Sequence, residues 1–183
     1  VWMCTQCKRC MHVCPMNIDI SQLVHHARGN WPKDLKPSGI VRSCDLARST
    51  ESTSAMGLPP EDFVFVVEDV LQEVREQQPG FKNLQALIDK KGAYFFVNQN
   101  SREPMSEPDE MVPLWKIFDY VGADWTYSSK GWAAENFCMF SGDETSWYDV
   151  IKQRIDAVNG LGCSVWLNTE CGHDFFAVRR GLE

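Results

Sequence analysis

The chain has 183 residues, of which 44% are hydrophobic and 23% are charged, proportions that are ordinary for a globular protein. Its formal net charge of −7 argues against a nucleic-acid surface, which normally carries a basic patch of Lys and Arg. No apolar run approaches the roughly 18 to 20 residues needed to cross a bilayer, so membrane contact is expected only through a partner. The length allows one sizeable domain or two small ones, and we predict two small ones.

The first part of the chain predicts two short helices. One begins near Asp19 or Ser21 and presents an apolar stripe toward a core, and Trp31 and Pro32 end it. This stripe consists of Ile18, Ile20, Leu23, Val24 and Ala27. A second helical stretch, residues 40–47, carries Cys44, and the polar residues that follow it predict a connection up to residue 60.

The middle of the chain predicts a long helix with a buried face, ended by Pro79 and Gly80. Its apolar residues at helical spacing are Phe63, Val67, Val70, Leu71 and Val74. Residues 81–91 predict a further short helix.

The last part of the chain alternates strands with helices. Strands are predicted at residues 93–97, 125–127 and 163–167, and helices at residues 110–121 and 146–158. This alternation predicts a parallel, doubly wound layer. The tryptophans of this region, Trp115, Trp125 and Trp166, are expected in its core.

Four of the eight cysteines crowd into residues 4–14, which favours thiolates kept reduced for metal over disulfides. Their C-x2-C-x2-C-x3-C-P spacing, ended by Pro15, is that of bacterial-type ferredoxins, which bind [4Fe-4S] clusters. Zinc more often uses paired C-x2-C knuckles separated by a longer loop. We therefore predict at least one [4Fe-4S] cluster, with the cofactor-binding and iron-ligating residues Cys4, Cys7, Cys10 and Cys14.

The fourth cysteine of such a run usually ligates a second cluster, while the first three borrow a ligand from a companion run. The printed sequence has no companion run, and it reaches its metal motif within four residues of Val1. Two explanations stay open: the chain is a fragment and a companion run precedes Val1, or Cys44 completes a single cluster. The charges of Lys8 and Arg9 and the imidazoles of His12, His25 and His26 are candidates for tuning the cluster or meeting a partner.

The run and the residues after it, Ile18, Ile20, Leu23, Val24 and Arg28, resemble the second cluster motif of heterodisulfide reductase C and D type subunits. The resemblance implies a helical ferredoxin-like domain at 1–57, a helical linker at 58–90 and the first half of a CCG-type α/β domain with a parallel sheet at 91–183. The fold class is then mixed α+β and α/β. The segment 168–173 is most similar to the DsrK-type subunit of the membrane redox complex associated with dissimilatory sulfite reductase.

The family uses cysteines of its CCG domain for a non-cubane iron-sulfur centre, and this chain departs from that pattern. Asn98 or Gln99 stands where a first cysteine is expected, Phe137 precedes Cys138 where a pair is expected, and Asn168 stands where a C-x2-C begins. Cys138, in a predicted loop, and Cys171, after a predicted strand, remain the candidate catalytic thiols. Cys163 is expected to be a core residue, and Glu170 and His173 are possible proton donors.

The leading functional hypothesis is an electron-transfer iron-sulfur subunit of a heterodisulfide-reductase-like complex, with one or two [4Fe-4S] clusters feeding a thiol/disulfide site. A non-cubane centre is expected only if further sequence supplies ligands. The expected partners are other redox subunits, a membrane cytochrome b-type subunit or a flavoprotein, at the cytoplasmic side of the membrane. Two alternatives are the iron-sulfur subunit of a quinone-linked glycolate, lactate or glycerol-3-phosphate dehydrogenase, and a single-cluster scaffold without catalysis.

Overall fold

The computed structural model describes residues 1–169 and 172–182. The first of its helices are α1 (Arg9–Val13), α2 (Ile20–Gly29), α3 (Ser38–Arg48) and α4 (Pro60–Gln77). Asp19 caps α2, and its carboxylate accepts a hydrogen bond from the Gln22 amide at 3.1 Å. Pro60 occupies the first turn of α4, where a missing N–H costs no hydrogen bond.

The remaining elements alternate as the sequence predicts, and they are listed here in chain order. They are β1 (Phe95–Asn100), α5 (Glu103–Ser106), α6 (Val112–Val121), β2 (Trp125–Thr126), β3 (Ala133–Ala134), α7 (Phe137–Ser141), α8 (Glu144–Leu161), β4 (Val165–Asn168) and α9 (Gly172–Leu182). Short 3-10 turns lie at Lys33–Leu35, Pro79–Phe81 and Pro108–Met111.

The sheet has four strands, and β1 pairs in parallel with each of the other three. The N–H groups of Phe95 and Gln99 bond to the segments of β2 and β3, so these two short strands follow one another along one side of β1. The longer pairing, Phe95 to Asn98 with Val165 to Asn168, places β4 on the other side. The chain therefore places β2 and β3 on one side of β1 and then crosses to the other side for β4. Such a change of side opens a crevice at the carboxyl ends of parallel strands.

Two apolar cores fill the molecule. The first joins α4 and α6 to the sheet, and Phe63 stacks on Trp132 with ring centroids 4.2 Å apart. The second joins α3, α7, α8 and α9, and it includes Cys44 and Cys138. Helix α3 thus shares a core with helices of the α/β part.

Helix α2 meets the turn between α7 and α8 backbone to backbone. Gly142 has φ +69°, and a Cβ at this position would lie 2.5 Å from the Gly29 nitrogen and from the His25 carbonyl oxygen. A Cβ on Gly29 would lie 2.8 Å from the Gly142 carbonyl oxygen. Such distances are below van der Waals contact, so this approach requires glycine at both positions.

Several local predictions are wrong. Residues 81–91 do not form the predicted helix: Phe81 ends the 3-10 turn Pro79–Phe81, and Ile88 forms a single β-bridge to Tyr127. The Leu87 carbonyl and the Asp89 N–H bond to the Tyr127 backbone at 2.8 and 2.9 Å, so they are not available for a helical turn. Cys138 lies on α7 and not in a loop. Cys163 and Trp166 are half-buried and not core residues, since they lie at and near the start of a strand at the edge of the sheet.

The orientation of α2 is the reverse of the predicted one. Ser21, His25 and Arg28 face inward and are at most 4% exposed. Ile20 and Leu23 of the apolar stripe are 41% and 58% exposed, and Ala27 also lies at the surface. The inward face is polar because it meets backbone carbonyls and a carboxylate, as described below.

Candidate iron-sulfur site and buried thiol pair

The four-cysteine run forms an irregular loop followed by one short helix. Gln6 and Lys8 have positive φ values of 56° and 62°, which turn the chain sharply on either side of Cys7. Cys10 lies on α1, and Cys14 follows the last residue of that helix. The run therefore wraps within a few residues, as a chain that surrounds a compact group must do.

The thiols of the run are free and reachable. Cys7 is exposed, and Cys4, Cys10 and Cys14 are half-buried. The Gln6 N–H points to the Cys4 sulfur at 3.4 Å. The pKa of Cys7 is lowered, first by the backbone N–H of Arg9 and then by the Thr5 side chain. Thiolate donors with N–H groups directed at sulfur suit an iron-sulfur cluster, so the residues of the run fit this cofactor.

Arg28 fixes the start of the run, although sequence reasoning gave it no role. It is 2% exposed, and its Nη2 donates to the carbonyl oxygens of Val1 at 2.8 Å and Cys4 at 2.6 Å. Its Nη1 donates to the Phe140 carbonyl at 2.8 Å, and its guanidinium lies over the Trp2 ring. Burial lowers the pKa of Arg28, while the charge of the Cys4 thiolate raises it. One cation thus connects the cysteine run to α7.

Three of the residues predicted to tune the cluster, Lys8, His25 and His26, have contacts with other parts of the chain. Lys8 Nζ lies 3.5 Å from the Asp19 carboxylate and 4.5 Å from the centre of the Phe176 ring. His25 Nε2 is 2.5 Å from the Glu144 carboxylate, whereas the exposed His26 faces Gln22. Lys8 and His25 therefore attach the N-terminal segment to α9 and α8.

Cys44 and Cys138 form a buried pair between α3 and α7, although 94 positions separate them in sequence. They are 4% and 3% exposed, and the Cys138 sulfur lies 4.0 Å from the Cys44 carbonyl oxygen. The Cys44 sulfur is 3.5 Å from Ser141 Oγ. The pKa of Cys44 is lowered, chiefly because the Cys138 thiol hydrogen-bonds to it, and the same contact raises the pKa of Cys138.

A cavity of about 480 Å³ opens beside this pair. Its wall includes Cys44, Ser141 and His25, and Lys36 and Glu144 line it further out. His25 Nδ1 is buried and has no hydrogen-bond partner among the described residues. Cys44, and not Cys138, is therefore the thiol that adjoins a space open to small molecules.

The carboxyl end of β1 carries amides where the family pattern has a cysteine. The Asn98 side chain donates to the carbonyl oxygens of Gly131 at 2.9 Å and Trp132 at 3.2 Å, and it accepts from the Trp166 indole N–H. Gln99 accepts from the Tyr127 hydroxyl at 2.6 Å. Because these amides are committed to internal hydrogen bonds and Cys138 packs with Cys44, the described residues do not fit a non-cubane cluster at this edge.

Beside that edge lies a buried charged cluster that sequence reasoning missed. Glu135 accepts a hydrogen bond from the Ala55 N–H at 2.6 Å, and Arg154 donates to the Thr53 carbonyl at 2.5 Å. Burial raises the pKa of Glu135 to about 7, against the attraction of Arg154. Burial also lowers the pKa of Arg154, so desolvation outweighs the mutual attraction of the two groups. No local pattern marks such a cluster, because its members come from distant segments.

The remaining candidates are dispersed. His173 is half-buried and its ring faces Phe140, and Cys163 is half-buried at the start of β4. Cys171 and Glu170 lie outside the described residues. Within the described ranges, no group of three or more His, Cys, Asp or Glu lies close enough together to hold a single metal ion. Nor does any helix there combine the length and apolar character needed to span a membrane.

The comparisons with known proteins support the iron-sulfur role that the cysteine run predicts. No family model matches the chain, and no solved structure matches it significantly. A curated protein of Archaeoglobus fulgidus, the Hdr-like menaquinol oxidoreductase iron-sulfur subunit 2, is 25% identical over 182 residues. The match covers 94% of this chain, which spans 31% of the length of that relative. The similarity supports an Hdr-like iron-sulfur protein, and it does not single out the DsrK type.

Proposed function

We propose that this chain is the electron-transfer iron-sulfur part of an Hdr-like oxidoreductase complex. The observation that carries the proposal is the C-x2-C-x2-C-x3-C-P run, whose free thiols lie on one sharply turned loop and helix. Similarity to an Hdr-like iron-sulfur subunit over nearly the whole chain supports it. Cys4, Cys7 and Cys10 would ligate one [4Fe-4S] cluster, and Cys14 a second one.

A bound cluster supplies one-electron redox chemistry, and the protein sets its potential through hydrogen bonds and nearby charge. In this chain the Gln6 N–H stabilises negative charge on the Cys4 sulfur, and the Arg9 N–H does the same for Cys7. The buried Arg28 holds the backbone of Cys4 in place and adds a positive charge beside it. These residues would keep the cysteine run in one conformation, so the protein would rearrange little when a bound cluster gains or loses an electron.

The surface around the run suits a partner subunit. Met3, Val13 and Met16 are 94%, 82% and 76% exposed, and the outward stripe of α2 adds Ile20 and Leu23. Apolar residues concentrated on one surface commonly mark protein contacts. We propose that another subunit of the complex covers this surface and brings its own redox centre close to the exposed Cys7.

The relative is called a menaquinol oxidoreductase subunit, so we propose that the complex is linked to a quinol. A membrane cytochrome b-type subunit would then be the partner, with the chain at the cytoplasmic side of the membrane. The helical ferredoxin-like character of residues 1–57 and the CCG-type character of residues 91–183 belong to this proposal. The all-parallel sheet around β1 supports the second of these. A thiol site involving Cys138 and Cys171 is the terminal part of the same hypothesis.

The test is anaerobic reconstitution of the full-length protein, followed by iron and sulfide analysis and EPR spectroscopy of the reduced sample. We expect a [4Fe-4S] signal in the wild type, and its loss or strong alteration in Cys7→Ser. Cys163→Ser is the matched control, because Cys163 lies outside the run and its signal should equal that of the wild type. Absence of iron from the reconstituted wild type would refute the proposal.

The iron count separates the remaining alternatives. Four irons with a signal that also requires Cys44 would favour the single-cluster scaffold. About eight irons, with Cys44→Ser without effect, would favour two clusters. A flavoprotein that co-purifies with the chain would favour the quinone-linked dehydrogenase, whereas a haem-containing subunit would favour the quinol-linked complex.

A further inference from the structure

The buried thiols Cys44 and Cys138 are free cysteines that belong to different halves of the chain. Cys44 lies on α3, close after the cluster run, and Cys138 lies on α7, between β3 and α8. Packing alone does not require sulfur at both positions, since neighbours in this core such as Ala47 and Val150 are aliphatic. The Cys138 sulfur lies only 4.0 Å from the Cys44 carbonyl oxygen, so a disulfide between the two side chains would need little backbone movement.

The two sulfurs differ in the properties that decide reactivity. Cys44 borders the cavity of about 480 Å³, and its sulfur lies 3.5 Å from Ser141 Oγ. Cys138 does not border the cavity, and burial and the neighbouring thiol disfavour its thiolate. Because an oxidant in the cavity meets Cys44 first, Cys44 is the attacking sulfur and Cys138 the resolving one.

We propose that Cys44 and Cys138 form a peroxide-reactive site that closes to a disulfide and ties α3 to α7. Cys44 is 4% exposed and borders a cavity of about 480 Å³, so a small oxidant such as hydrogen peroxide is the expected reagent. The polar wall formed by Lys36, His25 and Glu144 suits a small polar molecule.

The chemistry balances without any further reagent. The Cys44 thiolate attacks one peroxide oxygen, an S–O bond forms as the O–O bond breaks, and the leaving hydroxide takes up the proton that Cys44 released. The Cys138 sulfur then attacks the Cys44 sulfur, and an S–S bond forms as the S–O bond breaks. The second hydroxide takes the Cys138 proton. Two thiols and one peroxide thus give one disulfide and two waters, with two electrons passing from sulfur to oxygen.

The cross-link has a structural consequence that does not depend on a bound cluster. It would close a loop of 94 positions, and long loops of this kind restrict the unfolded chain strongly. It would also join α3 to α7, whose Phe140 carbonyl accepts a hydrogen bond from Arg28. Oxidation would therefore fasten the N-terminal segment to the α/β part.

The primary experiment uses the full-length protein, reduced and then treated with hydrogen peroxide. Free thiols are alkylated after denaturation, and the non-reduced digest is analysed by mass spectrometry. We expect a peptide pair joined through Cys44 and Cys138, two hydrogen atoms lighter than its parts and absent after treatment with dithiothreitol. Recovery of both cysteines as alkylated thiols, at a peroxide dose that oxidises the exposed Cys7, would overturn the proposal.

Variants test the order of attack. In Cys138→Ser, dimedone should trap a sulfenic acid at Cys44, about tenfold faster than at Cys138 in Cys44→Ser. Equal trapping rates would contradict the assigned roles. Cys163→Ser is the matched control, because Cys163 is half-buried and its raised pKa makes it a poor nucleophile. It should leave the cross-link unchanged.

Thermal unfolding gives a second readout. Peroxide treatment should raise the Tm of the wild type and of Cys163→Ser by on the order of 10 °C, and it should not raise that of Cys44→Ser. An unchanged Tm despite a complete cross-link would show that the disulfide forms without fastening the two helices. None of these outcomes depends on iron, so they are distinct from a failure of the proposed electron-transfer role.

Discussion

Helices α2 and α4 have the same kind of sequence pattern and opposite orientations. Both carry apolar residues at helical spacing. In α4, Phe63 and Val67 of this stripe are fully buried, whereas in α2 Leu23 of the corresponding stripe is 58% exposed. Helix α4 packs on the sheet through its apolar face, while α2 packs on α7 and α8 through Ser21, His25 and Arg28.

The difference separates two ways of holding a helix in place. Apolar burial stabilises α4 in rough proportion to the area removed from water. Helix α2 is held by directed contacts, such as Arg28 to the Phe140 carbonyl at 2.8 Å and His25 to Glu144 at 2.5 Å. Apolar residues at helical spacing thus predict that one face of a helix is buried, but they do not predict whether this chain or another molecule buries it. The outward stripe of α2 beside the cysteine run is consistent with cover by another subunit.

The largest expected effect on the free energy of unfolding comes from α4, the helix that packs through its apolar face. Phe63→Ala removes a fully buried ring that stacks on Trp132 at 4.2 Å, so we expect a loss of about 3–5 kcal/mol in the free energy of unfolding. Chemical denaturation monitored by Trp fluorescence measures it. Phe65→Ala, on the exposed side of the same helix, is the control and should change the free energy by less than about 1 kcal/mol. Similar losses for the two variants would contradict the packing of α4.

Helix α2 is held in place mainly by the hydrogen bonds of Arg28. Arg28→Ala leaves the carbonyls of Val1, Cys4 and Phe140 without this donor, and we expect a loss of about 2–4 kcal/mol. Hydrogen exchange should show faster exchange in residues 1–14, because the clamp on the run is gone. Arg28→Lys keeps the charge but cannot reach three carbonyls at once, so it should restore only part of the stability. Full recovery by Lys would show that charge alone matters.

Glu135, between β3 and α7, makes the stability of the protein depend on pH. Its pKa is raised to about 7 in the folded protein, above the value of an unfolded glutamate near 4.3. Its contribution to stability is therefore fully present below about pH 4 and is lost as pH rises through 7. Relative to Glu135→Gln, the wild type should lose about 3–4 kcal/mol between pH 4 and pH 8.

Asp19 provides a control of opposite sign for that pH series. The Ser21 hydroxyl and then the Gln22 N–H lower its pKa, so its contribution is present above about pH 4 and is lost on acidification. Denaturation midpoints of Asp19→Asn and Glu135→Gln, measured from pH 3 to pH 8, should therefore diverge from the wild type at opposite ends of the range. Parallel curves would contradict the burial of Glu135.

The smallest expected effect on stability is on the outward stripe. Leu23→Gln should change the free energy of unfolding by less than about 0.5 kcal/mol, because the side chain is already 58% exposed. The same substitution should weaken recovery of the proposed partner subunits when the protein is purified from native cell extract. Unchanged recovery would remove the outward stripe of α2 from the proposed contact with another subunit.

Long, strongly patterned elements were predictable from the sequence. The spans of α4 and α8 follow from apolar spacing and end signals such as Pro79 and Gly162, and the strand at residues 93–97 is confirmed as β1 with a shift of two or three residues. Parallel pairing followed from the alternation of strands and helices. The face of α2 was not predictable, because a polar face inside a protein is recognisable only when its partners are known.

The pairing of Cys44 with Cys138 was equally out of reach. Each looks like an isolated cysteine in its own segment, and their contact depends on how α3 and α7 pack. The same holds for Glu135 and Arg154, whose partners at residues 53–55 lie in a stretch predicted only as a connection. Local spacing predicted a cluster site because the four cysteines of the run lie within eleven positions.

The contact of Gly29 with Gly142 has an evolutionary consequence. A methyl group at Gly142 would overlap the backbone of α2 at 2.5 Å, and one at Gly29 would overlap Gly142 at 2.8 Å. A drift to alanine at either position would push apart the two segments that Arg28 bridges. Related proteins that keep this bridge are therefore expected to retain both glycines together. Loss of either glycine in a relative would indicate that its cysteine run no longer packs on the α/β part in this way.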